Sequence, residues 1–218
     1  IEAIPQTGWN FSNWTGDLSY LVAPNARNSL INLTAAPLFL SFSANFARET
    51  YTLEVETEGN GLVNEKAGFT LIPDSGTNVS LNAVASTGSH FSGWYGYQVN
   101  EPKSPSISFT PNVGGKISAL FELNKLHLQV NQSAGGEANG TGTYPYASTV
   151  SISSKPSPGY VFDRWTGDTQ FLNDAGSFSS LTIPDQNLSI TANFKPIPFS
   201  VLLSSTGLGS VSGGGTFD

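Results

Sequence analysis

A nine-residue aromatic pattern recurs three times along this chain and limits what the chain can fold into. The segments GWNFSNWTGD (8–17), GSHFSGWYGY (88–97) and GYVFDRWTGD (159–168) share the spacing G-x-x-F-x-x-W-x-G. Their tryptophans, Trp14, Trp94 and Trp165, lie 80 and 71 residues apart (94 − 14 and 165 − 94). A recurrence at this spacing indicates tandem modules, each of which is one folding unit.

A second landmark closes each module. SFSANF ends at Phe46, ISALF at Phe121 and ITANF at Phe194, and each is followed by a new alternating segment: YTLEVETEG, LHLQVNQSAGG or FSVLLSSTGLG. We call the segment that begins a module its opening strand and the segment with the phenylalanine its closing strand. The landmarks divide the chain into the last part of a first repeat, two complete repeats and the first part of a fourth: 1–50, 51–124, 125–197 and 198–218.

Alternation of apolar and polar residues predicts β-strands in every module. In the opening strand of the second repeat, Leu53 and Val55 face one way and Glu54 and Glu56 the other. The 23 glycines and 13 prolines separate such segments, as turns do between short strands. We therefore predict an all-β fold of tandem small β-sandwich or β-grasp-like modules of about 75 residues, arranged as an elongated array.

The two ends of the chain carry complementary parts of the module pattern. Residues 198–218 supply an opening strand and residues 1–50 a closing strand, so joined head to tail they make a unit that lacks only about ten residues. Three ways to complete these parts stay open: flanking sequence in a longer array, another chain, or closure of a ring.

Composition argues against several classes of function. Charged residues make up 11% of the chain, against roughly 25% in an average soluble domain. The formal net charge is −7 and the nine Lys and Arg residues are scattered, whereas nucleic-acid binding needs basic clusters. There is no cysteine for a disulfide or a thiolate metal site. No apolar run approaches the roughly 18 residues of a membrane span. We expect no nucleic-acid partner, no membrane span in this segment and no cofactor.

The order of these features resembles a known family of bacterial repeats. An opening strand, a G-x-G turn, a T-V-x-L-x-A strand, the aromatic motif, a variable loop and a closing x-A-x-F strand are similar to the divergent internalin B-type repeat (InlB B-repeat-like). The resemblance rests on TNVSLNAVASTGSHFSGWYG and KISALFE in the second repeat, and on STVSISSKPSPGYVFDRWTGD and LSITANF in the third. The second aromatic motif departs from the pattern at Tyr97, where the other two motifs have Asp17 and Asp168.

The resemblance implies a secreted bacterial surface protein and extracellular or cell-surface display, with no enzymatic activity. The favoured function is a non-catalytic structural, spacer or adhesive repeat region. Two alternatives are an accessory carbohydrate-binding segment of a secreted polysaccharide-degrading enzyme and a segment of an extracellular filament subunit. The expected partners are neighbouring repeats or domains of a longer parent chain, with glycans or other surface proteins as further candidates.

The aromatic residues fall into two groups. Nine of them are interpreted as the structural core, because a β module of about 75 residues has few large side chains to bury. Four others break the alternation and are candidates for stacking against sugar rings. The predicted core residues are Phe11, Trp14, Phe46, Phe91, Trp94, Phe121, Phe162, Trp165 and Phe194, and the stacking candidates are Trp9, Tyr95, Tyr97 and Tyr160.

The ionisable residues point to no catalytic or metal site. Five aspartates could offer oxygen ligands to calcium, but no D-x-D-x-D-G run occurs, and an aspartate after a glycine more often caps a turn. Calcium stays a candidate beside the expectation of no cofactor. The run of glutamates on one strand is interpreted as a solvated face rather than a glycosidase pair, and the two histidines lack a catalytic or zinc motif. The aspartates considered are Asp17, Asp163, Asp168, Asp174 and Asp185. The glutamates are Glu54, Glu56 and Glu58, and the histidines are His90 and His127.

Overall fold

The computed structural model describes residues 1–34, 37–97 and 99–217; Asp218, the last residue of the predicted fourth repeat, lies outside them. The chain divides into two compact units. Unit 1 contains residues 1–86 and 91–122, and unit 2 contains residues 87–90 and 123–218. In the part of the chain described here, no helix is both long enough and apolar enough to cross a membrane.

Residues 1–50, in unit 1, form a two-stranded antiparallel sheet with a small core. Strand β1 (Trp9–Gly16) leads into a short 3-10 helix (Leu18–Tyr20), and strand β2 (Phe42–Arg48) returns beside β1. The register places Trp14 opposite Ala44. The buried residues of this core are Ala3, Trp14 and Leu21.

The second repeat forms two sheets around one core. One sheet has the order β5-β3-β9-β7 and the other the order β4-β6-β8. The opening strand β3 pairs parallel with the closing strand β9, and both sheets contribute buried side chains to a common cluster. The strands are β3 (Leu53–Glu58), β4 (Gly61–Val63), β5 (Gly68–Leu71), β6 (Val79–Ala85), β7 (Ser89–Tyr95), β8 (Ser106–Phe109) and β9 (Gly115–Leu123).

The third repeat, in unit 2, repeats this topology. Its sheets have the orders β12-β10-β16-β14 and β11-β13-β15, and the opening strand β10 again runs parallel to the closing strand β16. Two sheets that share one core make each complete repeat a small β-sandwich, which confirms the predicted all-β fold. The elements are β10 (Lys125–Gln132), β11 (Gly136–Asn139), β12 (Gly142–Pro145), β13 (Thr149–Pro156), β14 (Tyr160–Gly167), a 3-10 helix (Thr169–Phe171), β15 (Phe178–Thr182) and β16 (Leu188–Pro196).

The last part of the chain forms an isolated hairpin of β17 (Phe199–Val201) and β18 (Gly215–Phe217). Phe199 pairs with Phe217 and Val201 with Gly215. The third repeat has the same arrangement, in which β10 pairs Leu126 with Tyr144 and Leu128 with Gly142. The strand that begins at Phe199 therefore pairs in the same way as the opening strand of the third repeat.

A β-bulge explains why the aromatic motif has the spacing F-x-x-W. Residues three apart in a regular strand face opposite sides of the sheet. The pairing register shifts by one residue between Phe11 and Asn13 and between Phe162 and Arg164. In these two repeats the extra residue brings the phenylalanine and the tryptophan to the same face. The ring centroids lie 5.4 to 5.5 Å apart in all three repeats.

Each motif tryptophan is buried and holds the loop that follows it. Trp14, Trp94 and Trp165 are only 6%, 4% and 5% exposed. Their indole N–H groups donate hydrogen bonds of 2.9, 2.9 and 2.7 Å to the carbonyls of Ala26, Ser104 and Gly176. The buried indole N–H thus has a partner, as a polar group in a core requires. The same hydrogen bond holds each loop at one backbone carbonyl, although the three loops differ in sequence.

One predicted core residue, Phe46, lies at the surface. It is 38% exposed, whereas the equivalent Phe121 is 4% exposed. A Cβ on Gly61 would collide with the Phe121 ring, and a Cβ on Gly136 with the Phe194 ring, so the turn after each opening strand covers the closing phenylalanine. No such hairpin is found among the described residues of 1–34 and 37–50, and Phe46 is uncovered. Its ring centroid still lies 6.3 Å from that of Phe11.

We expect Trp94→Ala to lower the free energy of unfolding of the second repeat by about 3–5 kcal/mol, close to the whole stability of a small module. Limited proteolysis should then cut within residues 51–124 and spare the third repeat, because the third repeat buries a hydrophobic core of its own. Trp9→Ala is the control. Because Trp9 is 38% exposed, its loss should cost about 1 kcal/mol or less. Equal losses from the two variants, measured by urea unfolding, would contradict the core role of Trp94.

Candidate functional site

The glycine that begins the first aromatic motif lies at a junction between repeats. Within unit 1, the Gly8 carbonyl accepts a hydrogen bond from the Glu49 N–H (2.9 Å), and the Glu49 carbonyl accepts one from the Ser75 N–H (2.6 Å). The Ser75 hydroxyl occupies the space where a Cβ on Gly8 would lie. This backbone relay connects the first repeat, through Gly8 and Glu49, to Ser75 of the second.

Unit 2 contains the same relay. The Gly88 carbonyl accepts a hydrogen bond from the Asn124 N–H (2.9 Å), and the Asn124 carbonyl accepts one from the Tyr146 N–H (2.9 Å). The Tyr146 ring lies over Gly88 as Ser75 lies over Gly8. Both glycines have left-handed backbone conformations, with φ of 79° and 77°. The two junctions therefore share one geometry, although different side chains cover the glycine.

Side chains add contacts that differ between the junctions. In unit 1, Arg48 donates from Nη1 to the Ser75 carbonyl (2.9 Å), and its guanidinium lies 5.1 Å from the centre of the Trp9 ring. In unit 2, the Asp185 carboxylate accepts from the Gly88 N–H (3.0 Å) and from the Asn124 side-chain amide (2.8 Å). Charge-assisted hydrogen bonds of this kind are stronger than neutral ones.

The other aspartates considered for calcium have separate structural partners. Asp17 and Asp168 accept hydrogen bonds of 2.8 Å from the N–H groups of Ser41, just before β2, and Ser189, the second residue of β16. Asp163 forms ion pairs with Arg164 (3.4 Å) and Lys195 (3.2 Å), and Asp174 accepts from the Gly176 N–H (2.9 Å). Among the residues that the structure describes, no three acidic or histidine side chains come together to hold a metal ion.

The glutamate face of β3 is occupied by an ion pair. Lys116 Nζ lies 2.6 Å from a Glu56 carboxylate oxygen. This hydrogen bond, together with the charges of Glu56, Glu54 and Glu58, holds the pKa of Lys116 above its ordinary value. The histidines lie elsewhere: His90 Nδ1 is 3.0 Å from the Asn124 amide oxygen, and His127 Nε2 is 3.4 Å from the Gln129 amide oxygen.

The four stacking candidates lie in different environments. Trp9 and Tyr95 are 38% and 40% exposed. Tyr160 is half-buried and its ring covers Gly135 in the turn after β10, so it packs within its own module. Tyr97 is half-buried at a groove, and its ring centroid lies 5.1 Å from that of Phe109.

The groove at Tyr97 has the composition of a small-ligand site. It measures about 560 Å³. The Tyr97 hydroxyl donates to the Val113 carbonyl (3.3 Å), which holds the ring at the groove. Amide, hydroxyl and aromatic groups line the groove together, and such a mixture suits a polar ligand with a flat apolar face. The lining includes Tyr97, Asn100, Ser108, Phe109, Thr110 and Asn112.

The relay residues Glu49, Ser75, Asn124 and Tyr146 are not among those that the sequence analysis singles out, whereas Trp9 and Asp185, which add side-chain contacts, are. The only signal in the sequence is the glycine at the start of each motif, at Gly8, Gly88 and Gly159. Its partners act through backbone groups, which every residue type other than proline supplies equally. Their role is therefore visible only in the structure.

Comparison with known proteins gives one family. A family model described as "Divergent InlB B-repeat domain" matches residues 1–50, 51–125 and 126–198. No curated protein matches the chain. A crystal structure of a variant of the major pilin from Streptococcus pyogenes is 8% identical, and the alignment covers 67% of this chain and 98% of the pilin with a TM-score of 0.24. That TM-score is too low for the pilin to inform the fold or the function.

We expect Gly88→Ala to destabilise the protein more than Gly159→Ala does. Both glycines have a positive φ, 77° and 86°, so alanine at either position should cost about 1–2 kcal/mol in backbone strain. A Cβ on Gly159 meets no atom within 4 Å, whereas one on Gly88 collides with the Tyr146 ring. The additional loss for Gly88→Ala should be about 1 kcal/mol or more. Equal losses in urea unfolding would show that the Tyr146 contact contributes nothing.

Proposed function

Because the chain belongs to the divergent InlB B-repeat domain family over residues 1–198, we propose that it is a non-catalytic structural or spacer repeat region of a secreted bacterial surface protein. In this proposal the repeats are displayed outside the cell and position other domains or an adhesive surface. The observation that carries the proposal is the junction relay, which recurs with the same hydrogen bonds in unit 1 and in unit 2.

A recurring junction suits a spacer for a physical reason. The relay consists of two hydrogen bonds between four backbone groups of three residues, so these bonds do not depend on a charged side chain or on salt concentration. Where every repeat meets its neighbour in the same way, each additional repeat adds the same increment of length. The small share of charged residues, 11%, leaves hydroxyl and amide groups to carry the polar surface.

We expect small-angle scattering from monomeric chain to give a radius of gyration clearly above about 17 Å, the value for a compact globule of this length. The reason is that tandem modules contact only their neighbours. The sample should be separated by size exclusion immediately before exposure, so that associated species do not contribute. A radius of gyration near the compact value would contradict the spacer proposal.

A second candidate function, carbohydrate binding, is favoured by one feature of the second repeat. Asp17 and Asp168 each accept a backbone N–H at the start of the closing strand. The second repeat has Tyr97 at this position, and its ring pairs with Phe109 at a groove that also contains amide groups. An aromatic ring beside amide groups is the combination that stacks and hydrogen-bonds a sugar. This feature is confined to the second repeat and is compatible with the spacer role.

We expect glycan arrays probed with the full chain to show binding that Tyr97→Ala abolishes, since that variant removes the ring from the groove. Tyr95→Ala is the matched control, because Tyr95 is 40% exposed and does not line the groove. It should bind as the unmodified chain does. Silence of the unmodified chain across plant, algal and bacterial glycans, or equal loss in both variants, would remove the carbohydrate-binding function.

A further inference from the structure

The groove at Tyr97 is lined by a single charged side chain, that of Lys116, among the residues that the structure describes. The other lining side chains carry aromatic, aliphatic, amide or hydroxyl groups. An ammonium group near an aromatic ring could bind an acidic sugar, with the sugar carboxylate on the lysine and the sugar ring on the tyrosine. Whether Lys116 is available to a ligand therefore determines the class of sugar that the groove accepts.

The Lys116 ammonium group is already paired with a carboxylate of the protein. Lys116 Nζ lies 2.6 Å from a Glu56 carboxylate oxygen. Glu54 lies opposite Lys116 in the parallel register of β3 and β9, and the charges of Glu54 and Glu58 also act on the lysine. Three carboxylates thus surround one ammonium group, and the local charge is negative.

Three neutral polar side chains of the groove are not used within the protein. Among the residues that the structure describes, none forms a hydrogen bond with the side chain of Asn100, Thr110 or Asn112. By contrast, the Ser108 hydroxyl, which also lines the groove, donates to the amide oxygen of Asn78 (3.0 Å). The three unused side chains can therefore donate to and accept from the hydroxyl groups of a sugar.

The Tyr97 ring has a fixed position at the groove. Its hydroxyl is bonded to the Val113 carbonyl and its ring packs against Phe109. A Cβ on Gly115 would lie 3.2 Å from the ring. The third repeat has Leu188 where the second has Gly115, as the pairing with the opening strands shows. The glycine thus gives the ring its room, and a ring that is held in place loses little freedom when a ligand binds.

We propose that this groove binds a neutral sugar unit and rejects an acidic one, because Glu56 holds the Lys116 ammonium group. The inference rests on the carbohydrate-binding function proposed above and specifies the class of its ligand. An acidic sugar would have to displace Glu56 from Lys116 and would approach the carboxylates of Glu54 and Glu58. A neutral sugar leaves the ion pair intact. The specificity therefore includes repulsion of the wrong ligand.

The first experiment measures binding of the full chain to arrayed pairs of oligosaccharides that differ only at C6. The pairs are gluco-, galacto- and manno-oligosaccharides and their uronic acid counterparts. In each pair that binds, the neutral member should bind at least about threefold more tightly. Equal binding of the two members, or tighter binding of the acidic one, would overturn this inference alone. Binding of no member would overturn the carbohydrate-binding function together with it.

A second experiment changes the selectivity through the ion pair. Glu56→Gln keeps the shape of the side chain but removes its charge, so Lys116 becomes available to a carboxylate of the ligand. The ratio of acidic to neutral affinity should rise about fivefold. The double variant Glu56→Gln with Lys116→Gln should lose this rise, because the ammonium group that would bind the acidic sugar is then absent.

Glu58→Gln is the matched control. It removes the same charge from β3 but leaves the contact between Lys116 and Glu56. At physiological salt it should change the ratio by less than about twofold. Lys116 and Glu56 are about half exposed (52% and 45%), so the variants should unfold in urea at nearly the same midpoint as the unmodified chain. A ratio that Glu56→Gln leaves unchanged, or that both single variants raise equally, contradicts the proposal.

Discussion

The contact between the motif tryptophan and the phenylalanine three residues before it organises each repeat. It brings together a β-bulge, which puts both rings on one face, and an indole N–H, which holds the following loop by one carbonyl. A module of this size buries little apolar area, so its largest side chain contributes a large share of the stabilisation. In the complete repeats the tryptophan belongs to the core that both sheets share, and it also holds the following loop.

The strands and the buried rings could be predicted from the sequence. The alternation of apolar and polar residues indicates which face of a strand is apolar, and the same pattern occurs in three repeats. The F-x-x-W spacing is inconsistent with a regular strand, and the bulge resolves that inconsistency. Of the predicted core residues, Phe46 lies at the surface because its burial depends on a hairpin that is not found among the described residues of 1–34 and 37–50.

The junctions and the groove could not be predicted in the same way. Glu49 and Asn124 act through their backbone N–H and C=O groups, which carry no signature of residue type. Tyr97 is visible in the sequence as a replacement for aspartate, but the groove depends on its contact with Phe109, which ends strand β8 of the other sheet. Sequence patterns report the faces of single strands, whereas these features arise where separate segments meet.

The backbone relay at the junctions has a consequence for how such arrays change over evolutionary time. Because the relay between successive repeats is made by main-chain atoms over a glycine, a repeat that is duplicated, deleted or exchanged by recombination keeps the relay, whereas the added contacts of Arg48 and Asp185 change with the side chains. Ser75 and Tyr146, which share no chemistry beyond a hydroxyl, occupy the same place in the relay. The number of repeats can therefore change without altering the relay, while the loops that each tryptophan holds diversify independently.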